Sequence, residues 1–125
     1  MLTREALRYI MVVRFKSNKL KKQCEDPRIA MRDFGKDIGY RLTQRINELR
    51  QAKDLSEIAK IPAARLHPLA GSRLNEYSVD LVHPFRLVFI PITDEAPAFD
   101  LADLSTIHII RIEEVIDYHG KQKRK

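Results

Sequence analysis

Three groups that can each move a proton stand side by side near the end of the chain: Asp117, Tyr118 and His119. A fourth, His67, lies in the stretch Arg65-Leu66-His67-Pro68-Leu69. Free imidazole titrates at about pH 6.5, which makes His67 and His119 candidate acid and base groups. Asp117 is either a base or the group that orients an imidazole. A phenol titrates near ~10 and is a poor base unaided, so Tyr118 suits an auxiliary part. Each residue also has a plain structural reading. Asp117 to His119 can be a polar strand terminus with a chance His, and His67 a hydrogen-bonded strand residue. No metal is expected, since the chain has no Cys cluster and no closely spaced His pair. His83, in a turn, and His108, placed mid-strand, are read as structural.

The segments that must hold these residues follow from their periodicities. The run from Thr106 up to Asp117-Tyr118-His119 is rich in β-branched residues, with apolar positions on both parities. That fits a central strand covered on both faces. Tyr9 to Phe15 reads as a first strand, followed by a cationic segment with Lys16, Lys19, Lys21 and Lys22 on a helix starting near Ser17 or Asn18. A second helix is expected over 27–34, since Asp26-Pro27 suits a helix start and Gly35 a stop. Residues 37–52 form the clearest helix, with Ile38, Leu42, Ile46 and Leu49 recurring every three or four positions. Arg41, Arg45, Glu48 and Arg50 fall off that line and are expected on a solvated face. Asp54 with Glu57 resembles an N-cap with a reaching acid, opening a short helix over 55–60. The period then changes to strands. Arg65 to Leu69 is interrupted by Pro68 and suits an edge. Gly71 to Asn75 reads as a hairpin loop. Tyr77, Val79 and Leu81 alternate with Ser78 and Asp80, as in a half-buried strand. Phe85 to Ile92 is a further strand carrying Arg86, and 93–105 an acidic connection.

Composition bounds the class. The chain has 125 residues, 44% of them hydrophobic, four Gly and six Pro, which suits one folded domain over 1–125. Residues 1–10 read as an extension, with Met11 available as a start, and 120–125 as a basic tail. One Cys, Cys24, rules out an internal disulfide framework and suits a reducing cytoplasm. No apolar run approaches the roughly 20 residues of a membrane span, and no secretory signal is visible. The formal charge of +6 favours a polyanionic partner, nucleic acid first and an acidic protein second. Solubility alone would also account for it.

The ordered set Arg65-Leu66-His67-Pro68-Leu69, Gly71-x-Arg73, Tyr77-Ser78-Val79-Asp80-Leu81, Pro84-Phe85-Arg86-Leu87-Val88-Phe89 and Glu114-Val115-Ile116-Asp117-Tyr118-His119 resembles the HigB toxins of the RelE/ParE superfamily. The resemblance runs from about Met11 to His119 and takes in Phe15 to Leu20 and Leu42 to Arg45. It implies an α+β fold: a compact, RelE-like domain with a mixed or antiparallel sheet of four to five strands and N-terminal helices packed on one face. It also implies a ribosome-dependent endoribonuclease acting on mRNA without a cofactor. The implied partners are the ribosome, its message and a HigA-type helix-turn-helix antitoxin, with operator DNA reached only through that antitoxin. By resemblance, His67, Asp117, Tyr118 and His119 occupy active-site positions. One departure is visible: Ala70 stands where these toxins often carry a Lys.

RNA carries its own nucleophile, the 2′-hydroxyl. Cleavage needs a base for that proton, an acid for the leaving 5′-oxygen, and cations against the phosphorane. Tyr118 would stack on a base or steady the phosphate. Arg73 and Arg86 are the expected phosphate clamps, because a guanidinium matches phosphate oxygens bidentately; alternatively Arg86 pairs with Asp80 or Asp117. Lys19, Lys21 and Lys22 would add general attraction for RNA. The shared-site expectation is that the Arg65–Leu69 segment lies beside the end of the final strand, so that His67 and His119 face one shallow basic cleft. Two other functions stay open on the same fold: a non-catalytic, ParE-like inhibitor of gyrase, and an inactive protein that only holds an antitoxin.

Overall fold

The computed structural model describes residues 10–69, 75–92 and 103–118. Strand β1 (Val12–Phe15) is followed by helices α1 (Asn18–Glu25), α2 (Pro27–Phe34), α3 (Lys36–Gln51) and α4 (Leu55–Ala59). A short 3-10 turn, Pro62–Ala64, leads into β2 (His67–Pro68), β3 (Tyr77–Asp80) and β4 (Phe85–Pro91). A second 3-10 turn, Leu104–Thr106, precedes β5 (Ile109–Asp117). The fold is α+β, as expected. Among the described residues, no helix is long and apolar enough to cross a membrane.

Local chemistry sets the helix ends. Ser17 Oγ accepts the Leu20 N–H at 3.1 Å and starts α1. Asp26 ends α1 and starts α2, accepting the Arg28 N–H at 2.9 Å, with Pro27 in the first turn where its missing donor costs nothing. Gly35 joins α2 to α3 at φ 89°, a conformation that favours glycine. Asp54 caps α4 through the Ser56 N–H at 2.8 Å, and Glu57 reaches back to the Lys53 N–H at 2.7 Å. Helices α2 and α3 lie very close at Gly39, where a Cβ would stand 2.7 Å from Met31 N.

The sheet order is β1-β5-β4-β3-β2. Strand β1 runs parallel to β5, and the other pairs are antiparallel. Cross-strand partners point to the same side, so the register assigns each face. Tyr77, Val79, Leu87, Phe89, Ile110 and Ile112 belong to one face and join Leu42, Ile46 and Leu49 of α3 in the hydrophobic core. Ile38, the remaining member of the α3 stripe, packs against that core partly buried. The opposite face carries His67, Ser78, Asp80, Arg86, Val88 and Ile116.

Several sequence expectations need correction. Arg45 is not on a solvated face: it is 2% exposed. Its Nε donates to the Asp80 carbonyl at 2.8 Å, its Nη2 to the Ala63 carbonyl at 2.9 Å, and its Nη1 to Glu48 at 3.1 Å. These bonds compensate its desolvation. Strand β3 is not half-buried, because Ser78 is as fully buried as Val79. The mixed parity of β5 does not come from two equally covered faces. Ile112 pairs with Phe89 and Glu114 with Val88, so Glu113 is the extra residue of a β-bulge. Beyond it the alternation changes phase: Val115 packs toward the core and Ile116 joins the face of Arg86. His108 lies just ahead of β5, exposed, with Nδ1 3.3 Å from the Lys53 carbonyl.

Candidate functional site

The polar face of the sheet gathers its charged and titratable side chains around Arg86. The register places Asp80 directly across from Arg86, and Ile116 on its other side. Ser78 lies across from His67 and from Val88. From β4, Arg86 Nη1 donates to His67 Nε2 at 2.8 Å, and its Nε sits 3.3 Å from Asp80 Oδ1. Its guanidinium carbon stands 4.8 Å from the centre of the Tyr118 ring, a cation–π contact. Asp80 Oδ2 takes a second cation, Arg65 Nε, at 3.1 Å. Ser78 Oγ is 3.5 Å from His67 Nε2.

His67 is held at both nitrogens. Its Nδ1 lies 3.0 Å from the Arg65 carbonyl. A guanidinium can only donate, so Nε2 is the acceptor toward Arg86 and Nδ1 carries the hydrogen toward Arg65. The local backbone makes this possible. The Pro62–Ala64 turn ends on Arg65, which adopts a left-handed conformation at φ 48° and donates its N–H to the Pro62 carbonyl at 3.2 Å. That conformation is rare for a side chain of this size and costs of order 1 kcal/mol. From the core side, Arg45 grips the carbonyls of Ala63 and Asp80, which fixes the turn and the end of β3 on which the site is built.

No protein-family model and no curated protein matches the chain. The residues therefore have to be judged on position. His67, Arg86 and Tyr118 come together as one cluster. Tyr118 follows the end of β5, and its N–H donates to the Pro84 carbonyl at 3.1 Å, which draws the strand end to the β3–β4 turn. Asp117 pairs in register with Phe85 and is exposed at that end. His119 and Arg73, like Ala70 and most of the expected 71–75 loop, lie outside the described residues. The expected adjacency of the Arg65–Leu69 segment and the last strand is corrected: β3 and β4 lie between β2 and β5. Three strand spacings make roughly 14 Å, and Arg86 bridges the gap by touching both His67 and Tyr118.

Lys19, Lys21 and Lys22 are exposed on α1 and are not part of this cluster. That helix packs beside β1 and β5, toward the other end of the sheet from β2. Lys16 there pairs with Glu113 at 3.8 Å. Among the described residues, no group of three or more His, Cys, Asp or Glu side chains is placed to hold a metal ion.

Two members of the cluster do not stand out in the sequence. Arg65 reads there only as a strand residue, and Asp80 only as an alternative partner for Arg86. The available signal is parity. Ser78 and Asp80 share one face of β3, and a hairpin turning at His83-Pro84 puts that face against Arg86.

Proposed function

We propose that the protein is the toxin of a type II toxin–antitoxin module, a cytoplasmic endoribonuclease that cuts mRNA on the ribosome. The observation that carries this reading is the His67–Arg86 contact, with Asp80 and Tyr118 completing the cluster. It sets a proton-accepting nitrogen beside a cation suited to phosphate, next to an aromatic ring, on the sheet face opposite the one that packs on α3. In the proposed reaction the 2′-oxygen loses its proton to a base and attacks phosphorus. The 5′-oxygen leaves with a proton from an acid, giving a 2′,3′-cyclic phosphate and a 5′-hydroxyl. His67 is a candidate for one of these transfers. The resemblance assigns the others among Asp117, Tyr118 and His119, with Arg73 as a further phosphate contact and Lys19, Lys21 and Lys22 as general attraction. A HigA-type antitoxin would neutralise the protein.

A second reading has one observation in its favour: Arg86 is already engaged by Asp80, His67 and Tyr118. A closed network of this kind would also suit a non-cleaving relative, whether an inhibitor of gyrase or a holder of an antitoxin. Ribosomes stalled on a defined message, mixed with the purified protein, separate the two. New ends bearing 2′,3′-cyclic phosphate are expected. Replacing His67 with Ala should slow their appearance by about 100-fold or more, the usual scale for a lost acid or base. Intact message under conditions that arrest growth would reject the nuclease.

A further inference from the structure

We propose that Arg65 is both the positioning residue for His67 and the second guanidinium of a phosphodiester-binding clamp shared with Arg86. Its carbonyl accepts from His67 Nδ1 at 3.0 Å, and its side chain reaches Asp80, which also holds Arg86. One residue thus fixes the ring through its backbone and adds a cation through its side chain. The left-handed backbone at φ 48° is the device that joins the two roles. It turns the carbonyl toward the imidazole two residues on, while the side chain runs to β3.

The charges suit an anion. Asp80 is a single carboxylate set between two guanidiniums, so the trio keeps a net positive charge. Both terminal nitrogens of Arg65 are without a hydrogen bond to any described residue, and its side chain is 69% exposed. Among the described residues, Arg86 meets Asp80 through Nε and His67 through Nη1, which leaves Nη2. Asp80 therefore holds two planar cations on one face beside His67. A phosphate set across them would meet the two terminal nitrogens of Arg65 as a fork and Arg86 through Nη2. The choice of phosphodiester over other anions rests on the proposed ribonuclease activity; the positioning of His67 does not.

The test uses the full chain labelled with 15N and needs no cleavage. A long-range proton–nitrogen spectrum should show His67 with its hydrogen on Nδ1. Arg65→Gly keeps the left-handed backbone and the carbonyl, so that tautomer should persist. Arg65→Val strongly disfavours this backbone, so the Nδ1 hydrogen should lose its acceptor and exchange with solvent faster, while Arg86 still donates to Nε2. In parallel, the deoxydinucleotide d(ApA), which presents a phosphodiester without the 2′-hydroxyl, is titrated at low salt. Arg65→Gly should weaken its binding by about tenfold, the scale of a lost bond to a charged group. Arg65→Asn, which also tolerates the left-handed region, should match the Gly variant and separates loss of the cation from loss of fold. A His67 hydrogen on Nε2 in the parent overturns the positioning role. Unchanged d(ApA) affinity in both variants overturns the clamp. If the clamp binds d(ApA) and the protein nevertheless leaves ribosome-bound message intact, the ribonuclease reading fails while this inference stands.

Discussion

At the scale of single residues, Arg45 carries more of the architecture than the candidate site residues do. Its guanidinium ties α3 to the end of β3 and to the turn before β2. Arg45→Met keeps the aliphatic volume and strands both carbonyls without their charged donor. A loss of about 3 kcal/mol in a urea unfolding series is expected, with the His67 ring signals disturbed even where the fold survives. Cys24 gives a second prediction. Burial is the main cause that pushes its thiol up to about 12, with nearby Arg50 working the other way. The native protein should react with a thiol reagent at pH 8 only as fast as it opens, and denaturant should release a full equivalent. The thiolate is favoured in the unfolded chain once the pH passes the ordinary thiol value of 9.0, so stability should fall between about 9 and about 12. His67 and Arg86 are legible from sequence because their residue types are chemically distinctive. Arg45 is not, because helix periodicity ranks positions by hydrophobicity and a buried cation breaks that ranking. The acceptors that make its burial tolerable are backbone carbonyls from two distant segments, which no local pattern reveals.

At the scale of elements, start and stop chemistry carries most of the information. Ser17, Asp26, Gly35 and Asp54 each end or begin a helix through bonds or dihedrals their side chains dictate, and the expected helices lie within a residue or so of the observed ones. Close approach between helices is not readable in the same way. Gly39 looks like a weak point in α3 by propensity, yet α2 passes close there, with backbone atoms of Ala30 and Met31 within 2.8 Å of where a methyl group would sit. Gly39→Ala should therefore destabilise by roughly 1–3 kcal/mol despite its better helix propensity, read as a lower denaturant midpoint. The strands are harder. Alternation in β5 is readable on each side of Glu113, but a bulge is decided by pairing with β4, and a single strand does not announce it. The same limit hides Ser78, buried between its register partners His67 of β2 and Val88 of β4.

At the scale of the whole molecule, two responses to conditions follow. Asp26, Asp33 and Asp103 are held below the ordinary carboxylate range, by the Arg28 N–H, by the Arg32 side chain and by the Ser105 hydroxyl respectively. All three have a lowered folded-state pKa, so their contribution is present at neutral pH and is lost as the pH falls through and below about 4. These groups are exposed, and the expected effect is a modest drop in urea midpoint between pH 6 and pH 3. If the protein meets ribosomal RNA through its excess of cations, log affinity should fall with log salt by roughly 0.7 per single-strand phosphate neutralised. A flat response in a binding titration would point to a protein target. The sheet also has a history written into its order. Its first strand pairs with its last, Val12 with Ile109, so the partners are separated by 109 − 12 = 97 positions. Contacts so distant in sequence close late and slow the search for the native state. During synthesis β1 emerges long before its sheet neighbour β5 exists, and until then the edge it will cover has not been made. In pulse-labelled hydrogen exchange during refolding, amides within α2 and α3 should gain protection before those of β1 that bond to β5. Among the described strands, the last to be translated is thus the one that completes the sheet.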